Sequence, residues 1–102
     1  MKAPAVDAVA TEIAKEKSEA LGLAGKKLED ALRALRELDA RGGAATERGA
    51  AERSALVARA AERVTSFLVQ REAYGFADPS FVFAHYGVPD EVVARLGIRI
   101  VT

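Results

Sequence analysis

The chain has no cysteine and no tryptophan, and only one histidine and three prolines in 102 residues. The absence of cysteine excludes a disulfide framework, a thiol nucleophile and zinc-finger ligand spacing. With His85 alone, two-histidine metal sites are excluded, including the paired Glu-x-x-His ligands of ferritin-like di-iron bundles. A Ser-His-Asp arrangement built on His85 lacks any Gly-x-Ser-x-Gly nucleophile motif. Neither Gly-x-x-x-x-Gly-Lys-Ser/Thr nor Gly-x-Gly-x-x-Gly occurs, so no phosphate-cradling loop can be argued. With no nucleophile, base and orienting group to assemble, the expectation is a non-enzymatic chain without metal or cofactor.

An excess of charge is also lacking. Fifteen basic and fifteen acidic residues cancel and are mixed along the chain, against the one-sided basic surface of a dedicated nucleic-acid or anionic-membrane binder. The opening Met-Lys-Ala-Pro-Ala-Val-Asp carries no signal-peptide apolar run, and no window reaches membrane-span length. The expected location is the cytoplasm. The Ala- and Arg-rich composition is that of bacterial chains from high-GC genomes.

What the sequence does have is helical periodicity. Val6, Val9, Ile13, Ala20/Leu21, Ala24, Leu28, Ala31/Leu32, Leu35 and Leu38 recur with a mean step of about 3.6 residues and share an arc of roughly 140°. The phase is kept throughout, which predicts one helix over about residues 5–40, roughly 54 Å long. Gly22 and Gly25 oppose it at about 1 kcal/mol each relative to Ala. They mark either a break or a close helix–helix approach.

Gly42-Gly43 reads as a left-handed stop, and Thr46 as the N-cap of a second helix over about 45–74. That helix begins weakly, with Gly49 inside it, and is strong where Leu56, Val57, Ala60, Ala61, Val64, Phe67 and Leu68 align. Gly75 reads as its stop, and Phe76 as the residue that packs back. Asp78-Pro79 opens a short helix over about 79–86. Pro89 opens another over about 89–96, and 98–102 reads as an extended tail. All six aromatics lie between Phe67 and Tyr86 and are expected to cap one end of the bundle.

The fold expected is a single all-α domain over 1–102. A long antiparallel helical hairpin carries two short C-terminal helices and pairs as a homodimeric four-helix bundle. The expected oligomer and core stripe is Ile13, Leu21, Leu28, Leu32, Leu35, Leu56, Val64 and Phe67. The leading function is a structural or interaction module whose partner is its own copy.

Two other readings arise. Lys17, Arg53 and Arg71 are charges inside apolar arcs. Their stems can lie along apolar surface with the heads in water or ion-paired, or they can set register between copies. Alternatively, Lys17 and Arg71 can form a small anionic-ligand site walled by Phe67 and Tyr74. With the hairpin turning near residue 42, Lys17 falls opposite Phe67 to Arg71. Separately, Val82–Leu96 resembles a helix-turn-helix signature, which implies a DNA-binding regulator. It departs from that pattern at Phe83, where a small residue is usual, and in Asp90 and Glu91, which repel phosphate.

Overall fold

The computed structural model describes the backbone of residues 4–97 and the side chains from Val9 onward. The expected tail at 98–102, and the side chain of Val6, lie outside the described residues. Helix α1 runs Pro4–Ala40 without interruption. Its flanks of Ala, Leu, Lys and Glu are strong helix formers and outweigh the two glycines. Pro4 sits in the first turn, where a missing N–H costs nothing.

The hairpin turn is longer than two glycines. Gly42 takes the left-handed conformation (φ 69°), and a 3-10 turn follows at Gly43–Ala45. Thr46 then caps α2 (Glu47–Ala73), its side chain accepting from the Gly49 N–H at 2.9 Å. Gly49 is buried, and a Cβ there would collide with the Gly43 carbonyl oxygen. The glycine that weakens α2 as a helix is what lets the turn close onto it.

α2 ends in a left-handed stop at Gly75 (φ 96°). The Phe76 N–H donates back to the Arg71 carbonyl at 2.8 Å, and the Gly75 N–H to that of Glu72 at 3.0 Å. Asp78 caps α3 (Pro79–Tyr86), with Pro79 in its first turn and Gly87 as its left-handed stop. α4 is shorter than expected, Asp90–Ala94, and no side chain caps it. Along the exposed side of α1, Asp30 takes both Lys26 and Arg33 at 3.2 Å.

α1 and α2 pack antiparallel as the body of the molecule, which measures 70 × 30 × 17 Å. No strand occurs among the described residues. Leu28, Leu32 and Leu35 from α1 meet Val57, Ala60, Val64 and Phe67 from α2. Val82 of α3 and Val92 of α4, both fully buried, close one side of this seam. Leu21, Leu56 and Leu68 are partly buried against it. Ile13 is 47% exposed and Val9 54%, so the expected stripe divides into a covered part and an uncovered one.

Three contacts fix the hairpin register: Asp39 with Arg53, Gly25 with Phe67 and Lys17 with Tyr74. The paired residue numbers add to 91 or 92 each time, so α2 ends opposite residue 18 or 19 of α1. This corrects the expected placement of Lys17 opposite Phe67–Arg71. The 3-10 turn and the Thr46 cap move the hairpin centre from near 42 to near 46, about one helical turn along α1. Residues 4–17 therefore project beyond α2 as an arm.

Candidate functional site

Two features stand out, both near the point where the arm leaves the hairpin. The first is the aromatic end of the bundle. Phe67 lies in the α2 seam, 4% exposed, and Arg71 follows one turn later. The stop at Gly75 folds Phe76 back over Arg71, and the Asp78 cap aims α3 so that Phe81 reaches the same group. The guanidinium carbon lies 5.8 Å from the Phe67 ring centroid, 5.2 Å from Phe76 and 5.3 Å from Phe81. Attraction between a cation and ring faces of this kind is worth about 0.5–2 kcal/mol, more when water is excluded.

Around this centre, Phe67 meets the Tyr86 ring edge-to-face (5.4 Å, 89°). His85 stacks on Phe81 at 5.4 Å and stands edge-on to Tyr86 at 4.9 Å. Burial, with the Glu29 charge adding to it, raises the Tyr86 hydroxyl above its ordinary pKa, and the Arg71 charge opposes this. Lys17 places its Nζ 5.5 Å from the Tyr74 ring.

The expected ligand group is thus brought to one end of the hairpin as two cation–ring units, Lys17 on Tyr74 and Arg71 on Phe67. Phe76 and Phe81 complete the second unit, although the sequence suggested them only as a cap. The signal was present in the Gly75 stop, which turns the next side chain back onto the helix end.

Arg71 Nε is buried and has no hydrogen-bond partner. A desolvated donor in that state costs about 1–3 kcal/mol, so a reason for it is to be sought. The neighbouring carboxylate, Asp78, forms no ion pair with Arg71; its Oδ1 accepts from Ser80 N–H at 3.0 Å and from Ser80 Oγ–H at 2.6 Å. Those hydrogen bonds hold the Asp78 carboxyl below its ordinary range, and the Arg71 charge adds a lesser lowering.

Arg53, the third charge in an apolar arc, has a structural place. It donates to Asp39 of α1 at 2.6 and 3.1 Å and to both carboxylate oxygens of Glu91 of α4. One guanidinium clamps three helices. Its hydrogen bonds hold Asp39 and Glu91 below their ordinary pKa values and raise its own. The segment resembling a helix-turn-helix therefore ends in a five-residue α4 whose Glu91 is drawn onto α2. Its neighbour Arg95 donates to Ser54 Oγ at 3.2 Å.

The second feature is an uncovered apolar row along α1. It starts at Val9 and Ile13 on the arm and continues at exposed Leu23, which is flanked by half-buried Ala20 and Ala24. The last three line a recess shared with Ser66 and Gln70 of α2, to which α3 and α4 contribute nothing. Leu23 is 58% exposed and nearby Val69 62%. Lys27 and Arg63 stand in the same recess, while Glu12 and Glu16 are exposed beside the row on the arm.

Among the described residues no group of three or more His, Cys, Asp or Glu side chains could hold a metal ion, and no helix is long and apolar enough to cross a membrane. Over residues 2–101 the sequence matches a family described as a family of unknown function, DUF6665. No curated protein and no solved structure matches it.

Proposed function

We propose that this chain, which belongs to the DUF6665 family, is a non-enzymatic interaction module that works as a homodimer, with the arm of each copy covering the uncovered row of the other. The observation that carries this reading is the phase of α1. The stripe that packs on α2 from Leu38 to Leu28 continues in register through Ile13 and Val9, where α2 has ended. A helix keeping an apolar face beyond its cover needs a second surface.

A second copy suits that surface in shape and charge. Running antiparallel about a twofold axis near Ser18, it sets Ile13 of one chain beside Leu23 of the other, and both rows are covered at once. The acidic side chains flanking the arm, Glu12 and Glu16, then approach the recess holding Lys27 and Arg63. Opposite charges meet without any change of net charge. The row from Val9 to Ala24 is about 22 Å long, and covering it in both copies gives the four-helix arrangement expected of two thin hairpins.

The test is the solution mass by light scattering coupled to size-exclusion chromatography, with helicity read by circular dichroism. The native chain is expected at twice its 10.8 kDa. Ile13→Glu and Leu23→Glu, both at side chains exposed within one chain, are expected at the single-chain mass with helicity kept. A native chain at 10.8 kDa, or variants that remain dimeric, would overturn the proposal. Leu28→Asp is not a usable probe, because Leu28 is buried within the chain and its loss unfolds either species.

A further inference from the structure

We infer that Arg71 and its aromatic surround form a binding site for a small carboxylate carried on an apolar body. This does not depend on self-association, since Arg71 is ringed by α2 and α3 side chains whereas the recess holding Leu23 borders no residue of α3. Four observations support it.

First, Arg71 is partly buried and its guanidinium makes no hydrogen bond or ion pair with the described residues. A guanidinium drawn out of water is ordinarily matched by an anion. Second, the internal candidate for that role, Asp78, is held by Ser80 as the cap of α3. Third, the rings of Phe67, Phe76 and Phe81 surround the guanidinium. The Nε–Nη edge of a guanidinium is the fork that takes a carboxylate through two parallel bonds, and here the Nε of that edge is covered and unpaired. Fourth, Lys17 stands on Tyr74, one turn from Arg71, with no acidic partner among the described residues, and adds a second positive charge.

The same geometry indicates which part moves. Phe67 is held in the core, whereas Phe76 and Phe81 are 52% and 54% exposed. Either exposed ring swings aside to bare Nε, then closes on the apolar body of the ligand. The acid supplies the acceptor Nε lacks, and the half-exposed rings gain cover. A ligand with only one of the two parts gains only one of these contributions. Benzoate therefore binds more tightly than acetate, and inorganic phosphate does not match it.

The experiment follows the Arg71 Nε–Hε resonance of the native chain by NMR during titration with sodium benzoate, acetate, phosphate and chloride at matched ionic strength. Benzoate is expected to move the resonance saturably, with acetate about tenfold weaker and chloride without saturable effect. Arg71→Met is expected to abolish the accompanying shifts of Phe76 and Phe81. Lys17→Gln, at an exposed position, should weaken benzoate by about threefold to tenfold. No saturable shift with benzoate, an equal response to chloride, phosphate equal to benzoate, or ring shifts that survive Arg71→Met would each overturn the inference. The native-chain titration stands even if Arg71→Met fails to fold.

Discussion

Gly22 and Gly25 sit three residues apart in one helix, and the structure predicts opposite signs for the same substitution. At Gly22 a Cβ meets nothing within 4 Å. Alanine there keeps every contact and removes the helix penalty of glycine, so Gly22→Ala stabilises by about 1 kcal/mol. For a domain of this length that is a rise of about 4 °C in the unfolding temperature. At Gly25 a Cβ falls 2.5 Å from Tyr86 Oη, 3.4 Å from Tyr86 Cζ and 3.7 Å from Phe67 Cζ. Reaching ordinary contact at 3.4 Å requires the hydroxyl to retreat by about 0.9 Å. The ring is rigid and stands edge-on to Phe67, so it moves as a unit. Overfilling of this kind costs about 1–3 kcal/mol, and loosening the ring pair costs part of its roughly 0.5–1.5 kcal/mol. Set against the same 1 kcal/mol helix gain, Gly25→Ala destabilises by about 1–2 kcal/mol. Thermal unfolding by circular dichroism reads both variants, at one protein concentration because self-association would shift the midpoint. If Gly25→Ala raises the midpoint as much as Gly22→Ala, Tyr86 does not pack where the structure puts it.

Two further substitutions probe the turn and the clamp. Gly49→Ala destabilises by about 2 kcal/mol or more in urea unfolding, because backbone rather than a flexible side chain stands in the way; an unchanged midpoint would mean the 3-10 turn is not closed onto α2. Arg53→Met releases Asp39 and Glu91, whose depressed pKa values make the clamp a source of stability present at neutral pH and lost as pH falls through those lowered values. The gap in unfolding temperature between native and Arg53→Met chains should therefore be widest at neutral pH and narrow below the ordinary carboxylate values of 3.8 and 4.5. A gap independent of pH would show that the guanidinium contributes through packing alone.

The elements were legible because their signals are local. The 3.6-residue phase of α1, the Thr46 and Asp78-Pro79 caps and the Gly75 stop each act within a turn of themselves, and each forms as the sequence indicates. What the sequence did not reveal is non-local. Gly22 and Gly25 look alike until Tyr86 docks on one of them. Gly49 reads as a helix weakness until the turn folds onto it. Arg53 finds its partners 14 and 38 residues away, so nothing in its own helix names them. The register slipped by about two turns, twice the shift of the hairpin centre, because the length of the connection, unlike the ends of the helices, carries no periodic signal. At the aromatic end the return of Phe76 was readable from the Gly75 stop, but Phe81 joined Arg71 only once α3 had been placed.

In the proposed dimer the row from Val9 to Ala24 is covered by a second copy of itself. The absence of cysteine makes a spin-label measurement clean. Ser18→Cys places a label on the exposed outer face of α1 near the proposed twofold axis, and Ala40→Cys places one at the far end of the same helix. With helices packed about 8–10 Å apart, electron–electron dipolar spectroscopy should give one defined separation of about 25–30 Å for Ser18→Cys. For Ala40→Cys it should give roughly 65 Å, set by the antiparallel run of two helices from a common centre. No dipolar modulation at either position would contradict the account, and so would a short separation at Ala40.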